Sequence, residues 1–196
     1  MFGIGRVLSF AIKIMKKAII YAIVGLIFLL GALYVYWLRA SAARSPADKA
    51  EYTKGDFSLG IRYCRPFKRG RLIFGEESEA VLVPFGKYWR TGANDATEIE
   101  INKDVLFNNS TLKKGKYRMY TISGKSEWVI ALNSELGKSG HKEPDYARDV
   151  LRVTVPSALS EKFYDQFTIS VKDISDSTWI LLNWDTTEIR IPIRLV

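Results

Sequence analysis

KYRMYTISGKSEWVIALN, residues 116–133, decides the fold class. Two runs rich in Tyr, Thr, Ile, Val and Trp flank Ser123-Gly124-Lys125-Ser126, the order expected of two antiparallel strands joined by a short polar loop. The pattern recurs on both sides. Upstream, Phe57, Leu59, Ile61 and Tyr63 share one face of an alternating run, and Ile99 and Ile101 share a face of residues 97–102. Downstream come residues 150–155, then Phe167, Ile169 and Val171, then residues 179–184. Ile189, Ile191, Ile193 and Leu195 finally alternate with Arg190, Pro192 and Arg194, giving one dry face and one wet face. Pro192 has no N–H for a ladder, which predicts an edge or an outward-facing position there. Together these runs predict an all-β fold, an antiparallel β-sandwich of about 8–10 short strands over residues 57–196.

The N-terminal part obeys a different rule. AIIYAIVGLIFLLGALYVYWL, residues 18–38, contains no charged side chain, and an α-helix needs roughly 20 such residues to cross a hydrocarbon core. The run starts at Ala18 and passes through Gly25 and Leu30. It ends on Tyr34, Tyr36 and Trp37, rings suited to the headgroup layer, with Arg39 behind them. Arg6, Lys13, Lys16 and Lys17 precede it with no Asp or Glu among the first 38 residues. That asymmetry predicts a cytoplasmic N-terminus and an exported C-terminal domain. Ala40-Ser41-Ala42 has the form of a signal cleavage site, but the apolar run is longer than a signal core and ends in bulky aromatics, which favours an uncleaved anchor. In residues 1–17 the polar positions Arg6, Ser9, Lys13, Lys16 and Lys17 fall on one helical side. They read equally as a basic amphipathic helix on the cytoplasmic leaflet or as the plain flank of the spanning helix. Residues 39–56, rich in Ala, Ser, Lys and Glu, read as a linker. Ser45-Pro46-Ala47-Asp48 there has the form of a capping box for a short helix.

The chain carries 29 basic and 21 acidic residues, a net charge of +8. With four basic residues ahead of the span, the exported part holds 25 against 21, too mild an excess for a nucleic-acid binder. Cys64 is the only cysteine, so no intrachain disulfide forms; it reads as a small core residue, or else as a reactive or bridging thiol.

Two stretches break the alternation. Residues 62–71, RYCRPFKRGR, hold five basic residues and no acid, and residues 82–94 read LVPFGKYWRTGAN. Arg65, Lys68, Arg71 and Arg90 can converge on an anionic group, with Trp89 as a stacking wall and Thr91 and Asn94 beside it. They can equally hold loops, with Trp89 in the core.

Here the chain resembles a known family. RPFKRGRLIFG, LVPFGKYWRTGAN, GKYRMYTISGKSEWVIALN and DYARDVLRV occur in the order of motifs of the bacterial domain-of-unknown-function family 2911. The similarity runs from near Ser45-Pro46 to the C-terminus. Cys64 stands where serine is usual and Ser123 where proline is usual. The resemblance implies an exported all-β domain and supplies no catalytic residue.

No catalytic signature emerges. His141 is the only histidine, so a Ser-His-Asp or Cys-His arrangement would rest on this one loop residue, and a His-rich or Cys-rich metal site is excluded by count. Gly124-Lys125-Ser126 and Gly137-Lys138-Ser139 lack the earlier glycine of a P-loop. The acid pairs Asp173 with Asp176 and Glu98 with Glu100 read as solvated faces; Glu127, beside Trp128, and Asp185 are conceivable general acids with no catalytic cluster around them. The expectation is therefore a non-catalytic, single-pass protein of a bacterial inner membrane that displays its sandwich on the periplasmic side as a binding or assembly module, an accessory subunit of an envelope complex. Its partners would be the lipid bilayer and other membrane or envelope proteins, with no nucleic acid, metal or cofactor. The alternative is an envelope hydrolase or a binder of a small anionic or sugar-like ligand at the Arg-rich loops.

Overall fold

The computed structural model describes residues 4–175 and 177–196; of residues 4–14, 41 and 42 it describes the backbone alone. The side chains of Arg6 and Lys13, and the whole of Asp176, thus lie outside the described residues. The chain divides into two compact units, Met1–Ala43 and Arg44–Val196.

The first unit is one helix. α1, Ile4–Arg44, extends beyond the expected run of 18–38 at both ends. Arg39-Ala-Ser-Ala-Ala-Arg44 contains good helix formers, and nothing breaks the helix until Pro46, which disfavours helical geometry at the residue before it. The segment Met15–Ala40 is long and apolar enough to cross a membrane, and none of its residues is buried. Lys16 and Lys17 are exposed on it.

The second unit is an antiparallel β-sandwich. Its strands are β1 (Ala47–Lys54), β2 (Phe57–Cys64), β3 (Leu72–Gly75), β4 (Val81–Pro84), β5 (Tyr88–Trp89), β6 (Thr97–Ile101), β7 (Val105–Phe107), β8 (Ser110–Leu112), β9 (Gly115–Ile122), β10 (Glu127–Asn133), β11 (Asp149–Ile174) and β12 (Ser177–Leu195). One turn of 3-10 helix, Tyr146–Arg148, precedes β11. The hydrogen-bonded order is β1-β2-β6-β9-β10-β11-β12-β7-β8, with β5 added beside β9; β3 and β4 form a separate parallel pair. The path folds over itself at β11. Residues 149–156 of β11 pair with β10, whereas residues 157–174 pair with β12. β12 in turn leaves β11 after Ile189 and pairs with β7 through Ile193–Leu195. Two layers result, and the alternating apolar residues of both meet between them: Leu59, Ile61, Ile99 and Ile130 from one, Ile169, Ile180, Leu182 and Ile191 from the other.

Three boundaries differ from the sequence reading. Residues 47–54, expected within a linker with a short helix, form β1 and pair residue for residue with β2. The Gly55-Asp56 turn, with Gly55 at φ +59°, closes this hairpin. An eight-residue ladder plus the buried Ala50 outweighs one helix cap, worth about 1 kcal/mol. The separation between helix and sandwich thus shrinks to Ser45 and Pro46. Residues 150–155 and 167–171 belong to one long strand, as do 179–184 and 189–195. β3, β4, β5, β7 and β8 are too short to show a period, so the described residues hold twelve strands. Pro192 lies beyond the last pairing of β12 with β11, and its carbonyl accepts from the Asn108 N–H at 2.9 Å. Its missing donor therefore costs no ladder bond.

Candidate functional site

The basic loop after β2 is stitched into the fold. Arg65 donates from Nη1 to Asp48 of β1 at 3.0 Å, from Nη2 to Thr168 Oγ1 at 2.9 Å and from Nε to the Phe167 carbonyl at 3.2 Å. Its side chain thereby joins β1 to β11. Lys68 forms an ion pair with Asp185 at 2.6 Å and lies over the Phe163 ring. Arg71 donates to the carbonyls of Phe67 and Lys68, closing the turn in which Arg69 and Gly70 adopt positive φ. Asp185, itself at φ +56° and one of the two acids considered as a general acid, is thus an ion-pair partner of Lys68 at an irregularity of β12.

The WRTGAN stretch turns inward. Trp89 is 6 % exposed and packs edge-on against Phe74, Trp128 and Phe167 and stacked on Trp184, so its face is occupied by protein. Trp89 Nε1 donates to the Gly92 carbonyl at 3.2 Å, and Thr91, fully buried, accepts from Thr97 Oγ1 on its carbonyl at 2.7 Å. Gly92 sits at φ +149°, where a Cβ would lie 2.8 Å from the Cys64 carbonyl. Asn94, also at positive φ, donates to the Ser45 carbonyl at 3.5 Å and accepts from the Gly140 N–H at 3.0 Å. Arg90 is half-buried against Gly140, and burial pulls its pKa down. The four cations expected to converge on one anion share no acceptor: three are spent on strands and turns, and Arg90 packs elsewhere.

The outward face of the β1-β2-β6-β9-β10 layer holds polar groups that the alternation alone did not mark. Arg118 of β9 is 1 % exposed. It donates from Nη2 to Tyr88 Oη at 2.6 Å and to the Lys142 carbonyl at 2.5 Å, with Glu135 3.9 Å from Nη1. Segment 134–148 lies over it. That segment is also held by Tyr88 Oη donating to the Gly140 carbonyl and by Asn133 Nδ2 donating to the Asp145 carbonyl. Beside it Tyr120 donates to Asp149 and accepts from Arg152, and Tyr146 donates to Glu143. Burial raises the pKa of Tyr88 despite Arg118; burial together with the Glu143 bond pushes Tyr146 up to about 12. These phenols stay neutral donors at physiological pH.

On the same face runs a groove of about 600 Å³. β2 turns Ser58, Gly60 and Arg62 outward between β1, which offers Lys49, Glu51 and Thr53, and β6, which offers Glu98 and Glu100. Glu98 is not the solvated acid that its sequence position indicated. Its side chain is 5 % exposed and takes ion pairs from Arg62 at 2.6 Å and Lys116 at 3.0 Å and the Gly137 N–H at 3.2 Å. Burial alone would raise its pKa. The Lys116 and Gly137 bonds, with the charges of Lys116 and Arg62, outweigh burial and leave the carboxyl below its ordinary value. A second hollow of about 340 Å³ shares Arg62 and Glu98 and continues to Cys64, Asp95 and residues 137–139. Burial raises the pKa of the Cys64 thiol and so favours its protonated form on the wall of this hollow.

His141 is exposed, its backbone N–H donating to Ser139 Oγ. Among the described residues no three His, Cys, Asp or Glu side chains are placed to hold a metal ion. The groove was illegible because it depends on which strands are neighbours. Glu98 and Glu100 on β6 face Arg118 and Lys116 on β9 by register, across loops that separate them in sequence. The available signal was local: charged residues alternating with Ile99, Ile101, Tyr117 and Met119 on both strands.

A family model described as "Protein of unknown function (DUF2911)" matches residues 45–193. No curated protein and no solved structure matches the chain.

Proposed function

Because the chain belongs to the DUF2911 family, whose description assigns no activity, its role rests on its own residues, and we propose that it is a membrane-anchored binding module. One observation carries this reading: a helix with a fully exposed, uncharged span leads, with only Ser45 and Pro46 between, into the first strand of a β-sandwich. A span of this length finds its favourable environment in hydrocarbon. The four unopposed basic residues before the span favour a cytoplasmic N-terminus and, in a bacterial cell, a periplasmic sandwich in the inner membrane. There it would serve as an accessory subunit that recruits or steadies an envelope complex. The commitment of Arg65, Lys68 and Arg71 to internal acceptors weighs against a hydrolase or anion binder at those loops.

The test is fractionation followed by capture. Alkaline carbonate should leave the full chain in the membrane pellet, and mild detergent should release it together with a stoichiometric membrane or envelope protein. Release by carbonate, or a lone monomer after gentle extraction, would overturn the reading.

A further inference from the structure

We propose that the groove over β2 is a binding site for an extended peptide segment that carries an ammonium group and, two residues further on the same side, a carboxylate. The inference rests on the binding-module reading and adds the chemistry of the bound partner.

Shape supplies the first argument. Side chains of one strand face alternately, so β2 presents Ser58, Gly60 and Arg62 along one line. Gly60 leaves the floor open, and a Cβ there would meet nothing nearer than Lys49 Cε at 3.4 Å. The long side chains of β1 and β6 rise on either side, about 10 Å apart across two strand spacings. That width takes one extended chain. From Ser58 to Arg62 the floor runs about 14 Å at 3.4 Å per residue, the length of four or five extended residues. The volume of about 600 Å³ suits a ligand of that size.

Charge supplies the second. Register sets Glu51 and Glu100 on opposite banks at the level of Gly60, and Lys49 and Glu98 on opposite banks at the level of Arg62. Glu98, buried between Arg62 and Lys116, is already neutralised and holds those cations in place. Glu51 is partnered by Lys49, whereas no ion pair among the described residues reaches Glu100. The groove thus has an acidic waist over Gly60 and a cationic end around Arg62, about 7 Å apart along the strand. An ammonium fits the first and a carboxylate the second. The groove is lined by Lys49, Arg62 and Lys116 against Glu51, Glu98 and Glu100, which balance and so offer a polyanion no net attraction. A sugar chain would need aromatic platforms; Tyr52 is the one ring on the wall, and its hydroxyl is tied to Asp173.

The experiment titrates the full chain in detergent micelles with the blocked pentapeptide Ala-Lys-Ala-Glu-Ala, with Ala-Gln-Ala-Gln-Ala as control. Amide exchange over residues 58–62 is followed in parallel. The charged peptide should bind, protect that stretch and bind at least tenfold more tightly than the control. Gly60→Val, which fills the floor with a residue that strands favour, should abolish binding without lowering the melting temperature. Glu100→Gln, at an exposed unpaired carboxylate, should weaken it at least fivefold and serves if Gly60→Val fails to fold. Equal binding of the two peptides, or undiminished binding by both variants, or no binding at millimolar peptide, would overturn the proposal. Failure of the groove is distinguishable from failure of the anchored module. Stoichiometric capture of the same partner by wild type and Gly60→Val would sink the groove alone; carbonate release with peptide binding intact would sink the anchor alone.

Discussion

Arg65 donates to acceptors on two strands that are far apart in sequence, so its truncation reads stability. Arg65→Ala removes a bond to a carboxylate and the Nε donor to the Phe167 carbonyl, while the Thr168 hydroxyl keeps its bond to the Gln166 carbonyl; the loss should be about 2–3 kcal/mol in denaturant titration. Arg90→Ala should cost under about 1 kcal/mol, since no acceptor among the described residues loses its donor. A similar large loss for both would mean that Arg90 has a structural role its packing does not reveal. Glu98 gives a pH signature. Its folded pKa lies below the ordinary 4.5, so its contribution is fully present above about pH 4.5 and is lost as pH falls through the depressed value. Glu98→Gln should lower stability by about 1–3 kcal/mol at pH 7 and flatten the fall of melting temperature below pH 4.5. An unchanged acid limb in the variant would show that other carboxylates dominate that fall.

At the scale of elements, the β1–β2 hairpin depends on a two-residue turn. Gly55→Val puts a β-branched residue at φ +59°, which should cost about 1–2 kcal/mol and speed amide exchange in residues 47–54 more than in β9 or β10. Uniform acceleration across all strands would mean that β1 opens only with the whole domain. The same hairpin shows what the sequence could and could not disclose. β2, β6, β9 and β10 were legible because each has one dry face, so Phe57, Ile99, Met119 and Ile130 mark a period of two. β1 was not: Ala47-Asp-Lys-Ala-Glu-Tyr-Thr-Lys54 is mostly exposed, buries Ala50 alone, and owes its conformation to β2 beside it. The candidate site followed the same division. The buried place of Trp89 was one of two readings open from its apolar neighbours. The groove required knowing that β2 lies between β1 and β6, information held in register and in no single segment.

For the whole molecule, the decisive property is that a helix suited to hydrocarbon and a sandwich suited to water are joined almost directly. Leu29→Arg, near the middle of the span, should disfavour insertion by about 3 kcal/mol and shift much of the chain into the carbonate-soluble fraction. The melting transition of the sandwich should stay where it was. If the variant remains fully in the pellet, the helix is not what retains the chain. The sharing of β11 between the two layers also has a temporal consequence. Residues 149–156 complete one sheet, residues 157–174 begin the other, and β12 must return along the latter before the β7–β8 hairpin is joined to a sheet. Neither layer is a self-sufficient half. A chain emerging N-terminus first therefore has its early strands waiting with open edges, and long-range pairing of this kind is intrinsically slow. β12 acts as the clasp: the sandwich cannot close until that strand has emerged, however early the anchor is in place.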